Sequence, residues 1–158
     1  MDLLFVFEWL DASILADMSK AYGGVFAMVQ VVHLVALAML GGAVLVSDLR
    51  LLGILLTDVS SESVVNNMDR WFSRALIVIA VSGVFMSSAV AIKLYYNEMF
   101  WAKMIGLSFG AAFVYFVRRP LLRHPHQTIN VWSIRLIAVS SMIIWFTVAA
   151  SGRWIGFS

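Results

Sequence analysis

The chain has 158 residues, of which 62% are hydrophobic and 13% are charged, and its formal net charge is +2. Because a soluble domain carries about a quarter charged residues, this composition excludes an ordinary soluble protein. There is no cysteine, which excludes disulfides, thiolate metal sites and cysteine nucleophiles. We expect a single membrane domain over residues 1–158.

The first predicted element is an amphipathic helix over about residues 2–19. One side of this helix repeats apolar residues at helical spacing, at Leu3, Phe7, Leu10 and Ile14. The other side carries carboxylates, at Asp2, Asp11 and Asp17. This pattern is typical of a helix that lies in the membrane interface.

Four long apolar stretches follow. A helix needs about 20 apolar residues to cross a bilayer core of about 30 Å, and only helices and closed barrels satisfy their backbone groups there. The predicted transmembrane helices cover about residues 24–46, 71–92, 100–117 and 131–151, with a polar linker over residues 57–67. The sequence therefore predicts an all-α integral membrane four-helix bundle with an N-terminal interfacial helix.

Two of these helices carry small residues at four-residue intervals, which let helix backbones approach closely in lipid. The third has Ala102, Gly106 and Gly110, and the second has Gly83, Ser87 and Ala91. We expect these two faces to meet each other or a neighbouring subunit.

The distribution of Lys and Arg predicts the orientation in the membrane. One side carries seven of them, at Arg50, Arg70, Arg74, Arg118, Arg119, Arg123 and Arg135. The other side carries four, at Lys20, Lys93, Lys103 and Arg153. Since basic residues favour the cytoplasmic side, both termini are expected on the non-cytoplasmic side. The group at residues 118–123 is interpreted as a topology signal and not as a nucleic-acid patch.

His33 is the main candidate for a functional residue inside the membrane. It lies about 13 Å below the start of the first span, at 1.5 Å per residue, and ionisable groups at that depth are functional candidates. An imidazole there can ligate haem iron or copper, hydrogen-bond a quinone or relay a proton. The alternative is a neutral histidine bonded to Gln30, one turn away, or to a hydroxyl on another helix, and serving only packing.

Haem b is the most specific of these possibilities. A bis-histidine site needs a second histidine on a facing helix, and the other three spans have none. Two copies of the chain, or a methionine such as Met39 or Met86, would have to supply the second ligand. The identity of any cofactor therefore stays open.

Three further groups of polar residues are candidate sites. His124 and His126 are two imidazoles in one loop, which is a weak metal candidate beside Arg118, Arg119 and Arg123. An outer polar cluster of ion pairs, or an anion site, is predicted from Lys103, Arg153 and Glu98. An inner polar cluster is predicted from Asp48, Arg50, Arg74 and Arg135, in which Asp48 pairs with Arg74 or Arg135.

Several blocks of sequence resemble the ordered motifs of an uncharacterised family of short four-helix bacterial inner-membrane proteins. The most specific blocks are Asp-Leu-Arg-Leu-Leu-Gly at residues 48–53 and Gly-Arg-Trp-Ile at residues 152–155. Residues 9–13 and 96–100 also take part, with His33 and Lys103 between the blocks. The resemblance implies four spans in a bacterial inner membrane, and it implies no activity.

The chain is also similar in style to copper-resistance membrane proteins and to cytochrome b561-type bundles, which are four-helix units with histidines inside. It has one intramembrane histidine where those cytochromes have two pairs. Haem transfer by that analogy is therefore not implied for this chain.

No sequence motif of a hydrolase, metalloprotease or nucleotide-binding loop is present. One functional hypothesis is a non-catalytic accessory or anchoring subunit that holds other membrane or periplasmic subunits, or further copies of itself. The other is a carrier of haem b, quinone or copper that uses His33 for electron transfer or metal handling. The expected surroundings are the lipid bilayer, with no nucleic acid.

Overall fold

The computed structural model describes residues 3–123 and 130–154, without the side chain of Arg123. Within these ranges, four helices are long and apolar enough to cross a membrane: Gly23–Leu51, Ser61–Ser88, Glu98–Leu122 and Val131–Trp154. The predicted all-α fold with four membrane-spanning helices is confirmed.

The N-terminal segment forms two short helices where the sequence predicted one, α1 (Leu4–Asp11) and α2 (Ile14–Ala21). The break has a local cause, since the Ser13 hydroxyl accepts a hydrogen bond from the Ala16 N–H and caps α2. α1 is held to the rest of the molecule by the Phe7 ring. This ring makes edge-on or tilted contacts with three aromatic rings, those of Tyr95, Phe100 and Trp101.

The first span, α3 (Gly23–Leu51), ends in a glycine-dependent turn. Gly53 has φ +77°, a conformation that favours glycine. The Gly53 N–H donates to the Arg50 carbonyl at 3.0 Å, and the Ile54 N–H donates to the Leu49 carbonyl at 2.9 Å. These two bonds form a Schellman motif, which satisfies the last carbonyls of the helix. The predicted continuation of the first span to this turn is confirmed.

The second span, α4 (Ser61–Ser88), starts well before the predicted first residue, Trp71. The Ser60 hydroxyl caps its first turn, and Glu62 adds a negative charge where the helix dipole favours one. The linker predicted over residues 57–67 is therefore wrong from residue 61 onward. The polar residues there belong to a helix that extends beyond its apolar segment.

The second span also ends earlier than predicted. Its last residue is Ser88 rather than Ile92, because the backbone breaks at Val90, which has φ −138° and ψ 31°. A short helix, α5 (Ala91–Tyr95), follows and packs against α1. The side chain of Asn97 then caps the third span by accepting a hydrogen bond from a first-turn N–H.

The third span consists of three consecutive helical segments. α6 (Glu98–Ala112) continues into a π-helical segment (Phe113–Arg118) and then into α7 (Arg119–Arg123). Pro120 has no N–H to donate to the preceding turn, and both prolines and π-helical turns are places where the regular hydrogen bonding of a helix is interrupted. The π-helical segment carries Arg118 into the protein interior, and Arg119 follows it as the first residue of α7.

The fourth span is α8 (Val131–Trp154), and α3 packs between it and α4. The third span packs on α8, whereas long side chains bridge it to α4. The core contains residues from all four spans, including Leu40, Phe72, Val114 and Trp145. The rings of Phe72 and Trp145 meet edge to face, with 5.1 Å between their centroids.

The glycines of the third span contact α8 and not the small residues of the second span, so the first of the two expected contacts is wrong, and contact with a neighbouring subunit stays a prediction. A Cβ atom added at Gly106 would lie 3.1 Å from Val148, and one at Gly110 would lie 3.1 Å from Ile144, both on α8. On the second span, Gly83 faces His33 of α3. Each of these three glycines thus admits a larger side chain from the helix beside it.

Candidate functional site

Two aspartates and two arginines form a buried network near one end of the bundle. Arg118, from the π-helical segment, donates from Nη2 to Asp48 of α3 at 3.0 Å and from Nη1 to Asp69 of α4 at 3.0 Å. The exposed fractions are 0% for Asp48 and 4% for both Asp69 and Arg118. One guanidinium group therefore joins three spans.

Arg119 completes the network from the other side of Asp69. Its Nε lies 3.1 Å from Asp69 Oδ2, and its Nη2 donates to the Asp69 carbonyl at 3.0 Å and to the Ser73 hydroxyl at 2.6 Å. The Cζ atom of Arg119 lies 4.2 Å from the centroid of the Tyr115 ring. We call Asp48, Asp69, Arg118 and Arg119 the arginine network.

Neutral hydroxyl groups surround the Asp48 end of the arginine network. Arg118 also donates to the Ser47 hydroxyl, and Ser141 of α8 lies next to the Asp48 carboxylate. All four spans thus contribute polar atoms to the same buried site. Two positive and two negative side chains balance, so the network as a whole has no net charge.

The pairings predicted for the inner polar cluster are wrong. Asp48 pairs with Arg118 and not with Arg74 or Arg135. Arg74 lies over the ring of Trp71, and Arg135 lies over the ring of Trp132. Both arginines are on exposed helix faces, whereas the third span brings Arg118 directly to the level of Asp48.

Arg50, the remaining member of that predicted cluster, lies outside the arginine network. Its Nε and Nη2 donate to the Val59 carbonyl at 2.9 and 2.7 Å. Arg50 therefore bonds to the loop after α3, and Asp48 forms its ion pair with Arg118 instead.

Sequence reasoning missed Asp69, Arg118 and Arg119 as members of a buried site. The signal was present, because Asp69 lies between Met68 and Phe72 on an apolar helix face, at a position where an unpaired carboxylate is costly. Arg118 and Arg119 were interpreted as a topology signal, since their number and position near a loop fit that rule as well.

His33 occupies the other half of the membrane span. Its Nδ1 lies 2.8 Å from the hydroxyl of Ser82 on α4, and the same hydroxyl donates to the Val78 carbonyl at 2.5 Å. Because the hydroxyl proton is used on Val78, Ser82 accepts from Nδ1–H of His33. Nε2 is then the acceptor nitrogen of the ring. We call His33 and Ser82 the histidine pair.

The partner of His33 is therefore the hydroxyl on another helix, one of the two partners expected for a packing role. Gln30 is exposed, and its side chain forms no hydrogen bond with His33 in the described part of the chain. Within residues 3–123 and 130–154, no group of three or more His, Asp or Glu side chains is placed to hold a metal ion.

The surroundings of His33 do not fit a bis-histidine haem within one chain. His33 is the one imidazole in the described ranges, because His124 and His126 lie outside them. Lys103 of the third span is within electrostatic range of His33, and a nearby ammonium group disfavours a cationic metal.

The outer polar cluster stays a prediction. The Lys103 side chain lies along α8, where a Cβ atom added at Gly152 would be 3.7 Å from the ammonium nitrogen. Arg153 follows Gly152 directly in the sequence. Glu98 is exposed in the first turn of α6, and its charge favours that helix end.

Comparison with known proteins returns one family. The model of DUF6644, a family of unknown function, matches residues 6–158 and so covers nearly the whole chain. No curated protein and no solved structure matches the chain at a significant level. The expected resemblance to an uncharacterised family is confirmed.

Proposed function

Since the chain belongs to DUF6644, a family of unknown function, we propose its function from the site itself. It is a non-catalytic accessory or anchoring subunit of a larger assembly in a bacterial inner membrane. Its partners are other membrane or periplasmic subunits, or further copies of the same chain.

The observation that carries this proposal is how the buried polar groups are used. Arg118 is bonded to carboxylates on two spans, Arg119 is bonded to Asp69 and Ser73, and His33 is bonded to Ser82. Groups engaged in such contacts fix helix positions, which is a structural role. A scaffold needs this rigidity and needs no reactive group.

The surface that suits a partner is on α1 and α2. Phe5 is 67% exposed and Trp9 is 72% exposed, although Phe7 on the same helix is held in an aromatic cluster. α2 is fixed as well, since the Ser19 hydroxyl lies 3.4 Å from the hydroxyl of Ser88. Large rigid aromatic side chains are the residues that dominate binding between proteins.

Photo-crosslinking in native membranes tests the accessory role. Benzoylphenylalanine replaces Trp9 on α1, and the matched control replaces Phe116 on the third span, which is 80% exposed on a lipid-facing helix. The expected result is a discrete protein adduct from position 9 and none from position 116. Identical adducts from both positions, or a monomer without adducts at position 9, would contradict the role.

The proposed orientation has both termini on the non-cytoplasmic side. Arg118 and Arg119 belong to the arginine network, but Arg50, Arg70, Arg74 and Arg135 lie at the same end of the bundle, where basic residues mark the cytoplasm. Alkaline phosphatase fused after residue 158 should be active, and the same enzyme fused in the loop after residue 56 should be inactive. The reverse pattern would contradict this orientation.

A second candidate function is a carrier of haem b, quinone or copper at His33. The observation that favours it is the tautomer set by Ser82, which makes Nε2 the nitrogen able to ligate a metal or accept a hydrogen bond. Lys103 near His33 favours a neutral or anionic ligand over a cation.

Absorption spectra of the detergent-purified protein, with and without dithionite, separate the two functions. The carrier predicts a haem or quinone signal that is lost in His33→Ala and kept in the control Ser140→Ala on the exposed face of α8. For copper, metal analysis of the same samples replaces the spectrum. The accessory subunit predicts no His33-dependent signal in any of them.

A further inference from the structure

A polar pocket lies beside α4 at the same end of the bundle as the arginine network. Its volume is ≈ 660 Å³, and its lining residues are Asn66, Asp69, Arg70, Ser73, Arg74 and Arg119. It is formed where long side chains, rather than close helix packing, bridge α4 to the third span. Three of its six lining residues are arginines.

The pocket carries an excess of positive charge. The two aspartates of the arginine network are already matched by its two arginines. No carboxylate in residues 3–123 and 130–154 forms an ion pair with Arg70 or Arg74. These two guanidinium groups therefore remain uncompensated by protein in the described structure.

The pocket lies at the depth of the membrane interface. Arg74 lies over the Trp71 ring, and at the same end Trp132 is 68% exposed. Tryptophan is enriched at the level of the lipid head groups. Arginines at this depth face phosphate groups rather than acyl chains.

An apolar groove runs from Arg74 toward the middle of the membrane, between α3 and α4. It has a volume of ≈ 360 Å³ and is lined by Val32, Val35 and Met39 of α3 and by Ala75 and Val78 of α4. From Met39 to Val32, α3 rises about 10 Å at 1.5 Å per residue. Arg74 lines both the polar pocket and this groove.

We propose that the pocket and the groove together bind an anionic phospholipid. Its phosphate is held by Arg70 and Arg74, and one of its acyl chains lies in the groove between α3 and α4. Guanidinium groups match the geometry of phosphate oxygens, and basic pockets between membrane helices select anionic head groups. This inference does not rest on the proposed accessory role, because a lipid site is compatible with either candidate function.

Lipid retention by the full-length protein tests the head-group contacts. Native mass spectrometry in detergent compares delipidated protein with phosphatidylglycerol, which is anionic, and with phosphatidylcholine, which is not. Wild type should retain phosphatidylglycerol preferentially. Arg70→Gln/Arg74→Gln should weaken phosphatidylglycerol binding by about 25-fold, which is the contribution expected of two basic residues at an anionic lipid surface.

The matched control for the arginines is Arg135→Gln. Arg135 lies over Trp132 at 5.5 Å, as Arg74 lies over Trp71 at 5.5 Å, and it is absent from the lining of the pocket. This control should bind phosphatidylglycerol as wild type does. Since Arg70, Arg74 and Arg135 are all exposed, the helical content and thermal unfolding of these variants should match wild type, so that a loss of lipid reports the site itself.

The groove has its own variant and control on α3. Val35→Phe narrows the groove, whereas Val31→Phe places the same ring on an exposed position outside its lining. Val35→Phe should reduce phosphatidylglycerol binding several-fold, and Val31→Phe should not. Glycerol phosphate, which has the head group without acyl chains, should fail to displace the lipid.

Three results would overturn the proposal. One is equal retention of the anionic and the zwitterionic lipid by wild type. A second is unchanged binding of phosphatidylglycerol to Arg70→Gln/Arg74→Gln. The third is displacement of the lipid by glycerol phosphate, which would assign the pocket to a soluble phosphate compound.

Discussion

The two halves of the bundle hold their helices together by different means. At one end, the arginine network gives two buried carboxylates charged partners from the third span and joins three spans through Arg118. In the other half, the histidine pair joins α3 and α4 by one hydrogen bond between neutral groups. The difference shows where the fold depends on charge balance.

The consequence is a difference in tolerance to substitution. Removing one member of a buried ion pair leaves an uncompensated charge in a low dielectric, whereas removing a neutral partner leaves one neutral group without its hydrogen bond, which costs less. Replacing a glycine that contacts a large side chain should cost an amount of stability between these two cases. Measured losses of stability in single variants test that order.

Arg118→Met should have the largest effect on stability. It leaves Asp48 without its charged partner while Asp69 retains Arg119. The expected loss is about 3–5 kcal/mol, the usual result of removing one partner from a buried pair. Unfolding by a strong detergent titrated into bicelles measures it.

The control for this substitution is Arg135→Met, which removes an exposed arginine at the same end of the bundle. It should change stability by less than about 0.5 kcal/mol. A loss for Arg118→Met as small as for Arg135→Met would mean that the arginine network does not hold the spans together.

Restoring charge balance should recover much of that stability. In Asp48→Asn/Arg118→Met one negative and one positive charge are removed together, and the Asp69–Arg119 pair stays intact. Replacing a buried pair by neutral groups is often close to neutral, so the double variant should lie within about 2 kcal/mol of wild type. A double variant no more stable than Arg118→Met would show that charge balance is not the reason for the loss.

The membrane bundle was predictable from sequence because hydrophobic length is a strong signal that local residues carry by themselves. The start of α4 was predictable too, because Ser60 and Glu62 are typical of a helix N-terminus. The length of the apolar stretch alone predicts a start at Trp71. The arginine network was not predictable in its pairing. Six arginines with described side chains lie near Asp48 in the sequence or at its end of the bundle, and the π-helical segment before Pro120 decides which of them reaches it.

Gly110→Ala should have an intermediate effect. The new methyl group would lie 3.1 Å from Ile144 and 3.3 Å from the Trp145 ring, which is itself fixed edge-on against Phe72. Overpacking at such a contact costs about 1–3 kcal/mol. Gly42→Ala is the matched control, because nothing lies within 4 Å of its added Cβ atom, and it should stabilise α3 by up to about 1 kcal/mol. Equal effects of the two substitutions in the same unfolding assay would contradict close packing of α6 on α8.

Ser82→Ala should have the smallest effect of the series, because it removes one neutral hydrogen bond between two spans. Bonds of this kind in membrane proteins contribute about 0.6 kcal/mol on average and up to about 1.7 kcal/mol. The exposed Ser140→Ala serves as the control and should leave the free energy of unfolding unchanged within about 0.5 kcal/mol. A loss for Ser82→Ala as large as that for Arg118→Met would reverse the comparison between the two halves. It would mean that His33 is held in place for more than packing, since a single neutral bond cannot account for such a loss.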